Sequence, residues 1–282
     1  MMANIKFQLC GYRKTTASTP IGRHKKPNWY TMHQKHEMLC KTSSANSLFI
    51  GDSIIYGLLR YQTVWQRILQ SFQTLNLGIP GDKTQNVLWR AENLQISSRV
   101  KFVVIHCGTN NIDTNAPNAI AQGILSIALT FQEKCDQIQI FVVGLLPRDL
   151  QYSFRRDKID NVNKILVKMC SNFPEIHFLD HSSDWTIGGG ILNCTLYYSD
   201  FLHLSVKGNA KLASTIIDYL EGFDKPTKQY NEIKAADNHD EVQICHKRTQ
   251  KPSIFISPIY IMIPCCLILL LAYFIIILMR EV

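Results

Sequence analysis

The sequence predicts an α/β protein, a three-layer α/β/α sandwich around a five-stranded parallel sheet, followed by a C-terminal transmembrane helix. Three observations predict it. Short apolar runs alternate with longer amphipathic stretches between residues 46 and 222, a polar stretch follows, and residues 254–279 then continue for 26 positions without a charge.

Strands are expected at 48–50, 74–77, 102–107, 138–145 and 176–179, and helices at 55–72, 84–94, 119–135, 157–171 and 206–219. The strands are apolar on both sides, as burial on two faces requires, and each parallel neighbour needs a helix to return the chain. Such alternation puts helices on both faces of one sheet. Ahead of this domain (46–222), residues 1–45 mix Lys, Arg, His, Thr and Ser with isolated apolar residues and show no sustained period. They read as a basic, disordered arm. Behind it, residues 223–252 read as a polar linker, with Pro226, Asn231, Asp237 and Asn238 among them.

The charge-free run lies in the segment expected to cross the membrane, 253–280. As a helix, 26 residues reach about 39 Å, which exceeds the roughly 30 Å hydrocarbon core of a bilayer. Lys247, Arg248 and Lys251 precede the span and Arg280 with Glu281 follows it. That bias predicts a single-pass protein anchored at its C-terminus, with the folded domain facing the cytosol. The sequon Asn193-Cys194-Thr195 matters only under the opposite topology.

Composition narrows the class further. A chain of 282 residues with 46% hydrophobic content can bury a core without staples, which excludes intrinsic disorder, collagen and polytopic membrane proteins. The net charge of +8 is local: residues 1–45 carry eight Lys/Arg against Glu37 alone, whereas 46–222 carry 15 of each sign. The domain therefore lacks the basic face of a nucleic-acid-binding protein. Nine scattered cysteines without a C-x-x-C pair make neither a disulfide framework nor a zinc ribbon. With no apolar signal segment in the first 30 residues, a reducing cytosolic setting is the expectation.

Four stretches carry candidate chemistry. Leu48-Phe49-Ile50-Gly51-Asp52-Ser53 runs an apolar strand into a turn and a helix start, which puts Ser53 at the carboxyl edge of the sheet, where open α/β sheets bind ligands. A serine hydroxyl needs a base to take its proton and a third group to orient that base. Of the nine histidines, His203 in Asp200-Phe201-Leu202-His203 has a carboxylate three residues upstream. Taken alone, that spacing is more often a capping or surface pattern. Leu77-Gly78-Ile79-Pro80-Gly81-Asp82 could present the backbone N–H of Gly81, and Cys107-Gly108-Thr109-Asn110-Asn111 the side-chain amide of Asn110, as donors to an oxyanion.

Together these blocks, in the order Ser, Gly, Asn and Asp-x-x-His, resemble the SGNH or GDSL-type hydrolases. The resemblance is nearest to one branch, the catalytic subunits of intracellular platelet-activating factor acetylhydrolase. It also draws on Gly81-Asp82-Lys83-Thr84, Val87-Leu88-Trp89-Arg90, Gly144-Leu145-Leu146-Pro147-Arg148 and His203-Leu204, and spans roughly 46–222. It implies a flavodoxin-like sheet, Ser53 as nucleophile, His203 as general base and Asp200 as its orienting partner. The oxyanion hole would come from the N–H groups of Ser53 and Gly81 and the Asn110 amide, and Asp52 would be structural. Pro80 departs from the branch, which usually has a second glycine there. The resemblance implies short acyl groups, an acyl pocket narrowed by Ile54 and Leu202, no metal or cofactor, and pairing into homodimers, although no sequence feature establishes an interface.

The expected function is a serine esterase that removes an acetyl-like group from a lipid or other small ester through an acyl-enzyme. Two alternatives stay open at this point: a catalytically silent interaction module on the same fold, and an O-acetyl esterase acting on sugar or protein.

Overall fold

The structure, a computed structural model, describes residues 15–135, 137–180 and 185–240. The chain divides into two units, Met1–Glu232 and Ile233–Val282. In the first, the elements run α1 (Pro27–Thr42), β1 (Ser47–Gly51), α2 (Ser53–Gly57), α3 (Gln62–Ser71), β2 (Thr74–Gly78), α4 (Thr84–Asn93) and β3 (Phe102–His106). They continue with α5 (Pro117–Lys134), β4 (Gln139–Val143), α6 (Phe154–Cys170), β5 (Ile176–Leu179), β6 (Thr186–Ile187), β7 (Ile191–Leu192) and α7 (Val206–Asp240), whose last residues belong to the second unit. Five parallel strands form one sheet in the order β2-β1-β3-β4-β5, the doubly wound order in which the chain reverses direction between β1 and β3.

Alternating side chains along each strand feed two cores. Leu48, Ile50, Val103, Ile105, Ile140 and Val142 pack with residues of α4, α5 and α6 on one face. Phe49, Val104, Phe141 and Val143 pack with α2, α3 and α7 on the other. Each fully buried Leu, Ile or Phe contributes about 1.5–3 kcal/mol, so the strands are held from both sides and their carboxyl ends become a fixed platform. Gly51 pairs in register with Gly78 and with His106. The loops after β1, β2 and β3 therefore leave the sheet side by side.

The N-terminal segment corrects the expected disordered arm. From residue 15 it is ordered, and α1 buries Trp29, His33, His36 and Cys40. These stand four, three and four apart, a helical stripe, but it is built from histidine and cysteine, so a reading keyed to aliphatic residues finds no period. Residues 1–14 of that arm lie outside the described residues.

Two further expectations change. The helix expected at 55–72 is broken into α2, a 3-10 turn over Leu58–Arg60 and α3, with Tyr61 extended between them. The expected linker starts as helix, because α7 continues to Asp240. Residues 241–252 and the expected transmembrane span 253–280 lie outside the described residues. Among the described residues no helix is long and apolar enough to cross a membrane. The small antiparallel ribbon β6–β7, turned through Gly188–Gly190, was not expected.

Candidate active site

Ser53 is the first residue of α2, immediately past β1. Asp52 caps that helix, its Oδ1 accepting from the Ile54 N–H at 2.9 Å. Gly51 is obligatory here: a Cβ would stand 1.9 Å from the His106 carbonyl oxygen, so only a glycine lets β1 turn against β3. Asp52 is completely buried, and its Oδ2 has no hydrogen-bond partner among the described residues. Burial, opposed by the Ile54 N–H and reinforced by the Asp82 charge, pushes its carboxyl up to about 7.

The loop before α7 supplies the base. His203 Nε2 lies 3.0 Å from Ser53 Oγ, and His203 Nδ1 lies 2.6 Å from Asp200 Oδ2. The other carboxylate oxygen accepts from the backbone N–H groups of Leu202 and His203 at 3.1 and 2.9 Å. Partial burial works against the Asp200 charge, but the bonds from the His203 ring and these two N–H groups outweigh it and hold the carboxyl below its usual range. An ionised carboxylate only accepts, so the imidazole proton sits on Nδ1 and the Nε2 lone pair faces the serine hydroxyl. The turn is tied down elsewhere. Tyr198 N–H donates to the His203 carbonyl at 2.8 Å, and the Tyr197 hydroxyl donates to the Pro147 carbonyl at 2.8 Å.

The candidate oxyanion donors lie on the loops after β2 and β3, the strands that flank β1. Gly81 follows Pro80 with φ +77°, a left-handed conformation that suits glycine. Asn110, in the 3-10 turn after β3, donates from Nδ2 to the Asp82 carbonyl at 2.9 Å. Nδ2 carries two hydrogens, so this bond anchors the amide to the Gly81 loop and leaves one hydrogen to offer.

A buried cluster holds that loop. Arg90, fully buried on α4, donates from Nε to Asp82 Oδ2 at 2.8 Å, from Nη1 to the Leu77 carbonyl at 2.7 Å and from Nη2 to the Gly51 carbonyl at 2.9 Å. Trp29 Nε1 donates to Asp82 Oδ1 at 2.6 Å, and Arg23 reaches the same oxygen at 3.4 Å. Thus α1 braces the loop from outside. Burial pushes the Asp82 carboxyl up, with the Arg90 charge pulling against it.

Of the site residues singled out in the sequence, Ser53, His203 and Asp200 are brought together in one hydrogen-bonded series, and Gly81 and Asn110 lie on two adjacent loops joined through Asp82. Ile54 and Leu204 line a small recess at Ser53, about 10 Å³ in volume. Sequence reading assigned no role to Asp82, Arg90, Trp29 or Arg60. An arginine in the apolar run Val87-Leu88-Trp89-Arg90 was a signal that a buried carboxylate waits elsewhere. His106 is instead a core side chain, its Nδ1 3.3 Å from the Val143 carbonyl.

Comparison with known proteins agrees with this architecture. Residues 49–211 match the model of the GDSL-like lipase/acylhydrolase family. Platelet-activating factor acetylhydrolase IB subunit alpha2 of Homo sapiens is 31% identical over 189 residues, covering 67% of this chain and 81% of that protein. The alpha1 subunit of Bos taurus is 34% identical over 181 residues, covering 64% and 77%. Among solved structures, a Streptococcus pneumonia chain named for platelet activating factor superposes with a TM-score of 0.59 at 25% identity, covering 68% of this chain and 92% of its own. A GDSL-like lipase from Bacteroides thetaiotaomicron shares the fold with a TM-score of 0.56 at 19% identity over 67% and 97%. With the family model matched over more than half its length, this chain belongs to the GDSL-like lipase/acylhydrolase family and is a carboxylic ester hydrolase.

Proposed function

We propose that the chain is a serine esterase that hydrolyses a short, acetyl-like ester of a lipid or other small substrate. The hydrogen-bonded series Ser53–His203–Asp200 carries this reading. As Ser53 Oγ attacks the ester carbonyl, its proton passes to His203 Nε2, and Asp200 stabilises the imidazolium that forms. The carbonyl oxygen, now negative, takes hydrogen bonds from the N–H groups of Ser53 and Gly81 and from Asn110 Nδ2. Each such donor is worth on the order of 3 kcal/mol of barrier. His203 then protonates the departing alkoxide, leaving an acyl-serine. Water hydrolyses the acyl-serine by the same path in reverse, its proton taken by His203.

A short acyl group is supported by relatives whose names specify acetyl removal from platelet-activating factor. We further propose that residues 253–280 anchor the enzyme in a membrane with its hydrolase domain in the cytosol. The charge-free, mostly apolar run 254–279 and the basic residues before it support this.

Acetyl, butyryl and octanoyl 4-nitrophenyl esters test the chemistry on the full-length protein in detergent. Turnover is expected to be fastest for acetyl and to fall by about 10⁴-fold or more in Ser53→Ala. Equal activity in the two folded proteins would rule out Ser53 as nucleophile. Alkaline extraction tests the anchor: release of the full chain with the soluble fraction would remove it.

A further inference from the structure

His203 determines where the alcohol part of the ester must lie, because the Nε2 that receives the Ser53 proton returns it to the departing oxygen. The leaving group therefore runs outward past His203. The open space there is a cleft of about 540 Å³ lined by Arg60, Tyr198, Ser199, Asp200 and His203. Arg60 also lines the recess at Ser53, so one side chain joins the nucleophile's surroundings to the outer cleft.

Arg60 is held at this mouth by its neighbours. It ends the 3-10 turn that interrupts the expected long helix. Its guanidinium stands 5.7 Å from the centroid of the Tyr198 ring, a cation–π placement, and the Tyr61 and Tyr198 hydroxyls are hydrogen-bonded to each other. Among the described residues no carboxylate forms an ion pair with it. Asp200, the carboxylate lining the cleft, is already committed to His203 and two backbone N–H groups. An exposed guanidinium with no acidic partner, beside the path of the leaving group, presents a planar fork of donors suited to an oxyanion.

We propose that Arg60, supported by Tyr198, forms a subsite for an anionic group, a phosphate above all, carried on the alcohol part of the ester. This rests on the esterase reading and names the kind of leaving group it favours. The anion sits outside the chemistry, so its binding acts mainly on KM, and it is screened by salt as an exposed pair must be.

Two acetyl esters of one alcohol skeleton test it, 2-hydroxyethyl acetate and 2-acetoxyethyl phosphate, with acetate release by the full-length protein in detergent as the readout. The wild type is expected to favour the phosphate ester in kcat/KM by roughly five- to tenfold. In Arg60→Gln that ratio collapses toward one through KM, and Arg60→Lys recovers part of it, since a point charge lacks the fork. Added salt lowers the wild-type ratio and leaves that of Arg60→Gln unmoved. A wild-type ratio near one, or a ratio that survives Arg60→Gln, overturns the subsite while leaving the esterase reading intact. A folded protein that hydrolyses neither ester overturns both.

Discussion

Asp200 and His203 stand three residues apart on a surface turn, their side chains 49% and 39% exposed, whereas Asp82 and Arg90 are completely buried. The first pair is made within one turn of chain. The second draws on Trp29, Gly51 and Leu77, from three other elements. The two halves of the site therefore do different work. The exposed half is screened by water and adds little to stability, so its value is chemical. The buried half contains charges that cannot be left unpaired, so it holds the fold and the Gly81 loop together.

His203→Ala gives the largest expected effect on rate and separates the halves most cleanly. It should lower kcat by about 10⁴-fold or more while the urea midpoint stays within error, as measured on the same preparation. A large loss of stability would contradict the division. Arg90→Met reverses the pattern by leaving Asp82 with a buried charge. Chemical denaturation should report a loss of about 3–5 kcal/mol, with activity falling only as far as the Gly81 loop loosens.

Trp29→Phe is a gentler probe of the same network, since it removes the indole N–H from Asp82 Oδ1 and keeps an aromatic ring. A cost of about 1–3 kcal/mol is expected, and a neutral result would mean that Arg90 alone holds the carboxylate.

A last effect depends on pH. Burial, and after it the Arg90 charge, lowers His33 to about 4 and His36 to about 3. The unfolded chain takes up these protons as pH falls through the ordinary histidine value near 6.5, and the folded chain does so only near 4 and 3. Their contribution is complete above the unfolded value and is lost as pH drops from about 6.5 toward 4. Denaturation midpoints of the wild type should therefore fall between about pH 7 and pH 5 more than those of His33→Phe/His36→Leu. Equal slopes would exclude these two histidines as the cause.

Legibility followed the same division. The five strands were readable because burial on both faces writes them as apolar runs, and Ser53, Asn110 and the Asp200–His203 pair were readable because each lies at a strand end or within one turn. α1 was missed although its stripe Trp29, His33, His36, Cys40 was present, because imidazoles and a thiol do not register as a hydrophobic face. The break at Leu58–Arg60 was missed because nothing in the amphipathic pattern marks it, and with it went the position of Arg60.

Sequence alone thus determined the layered α/β class, the strand ends on which catalysis is mounted, and the serine, histidine and aspartate that meet there. These follow from local rules: two-residue and 3.6-residue periods, and spacing within a turn. Only the tertiary structure decided that the N-terminal segment braces the Gly81 loop, that Arg90 ties together Asp82, Leu77 and Gly51, and that Arg60 stands at the mouth of the site with no carboxylate paired to it among the described residues. The contacts to Asp82 alone join residues as many as 59 positions apart. No local pattern encodes them, because a buried charge is stabilised by whichever partner the fold brings within hydrogen-bond distance.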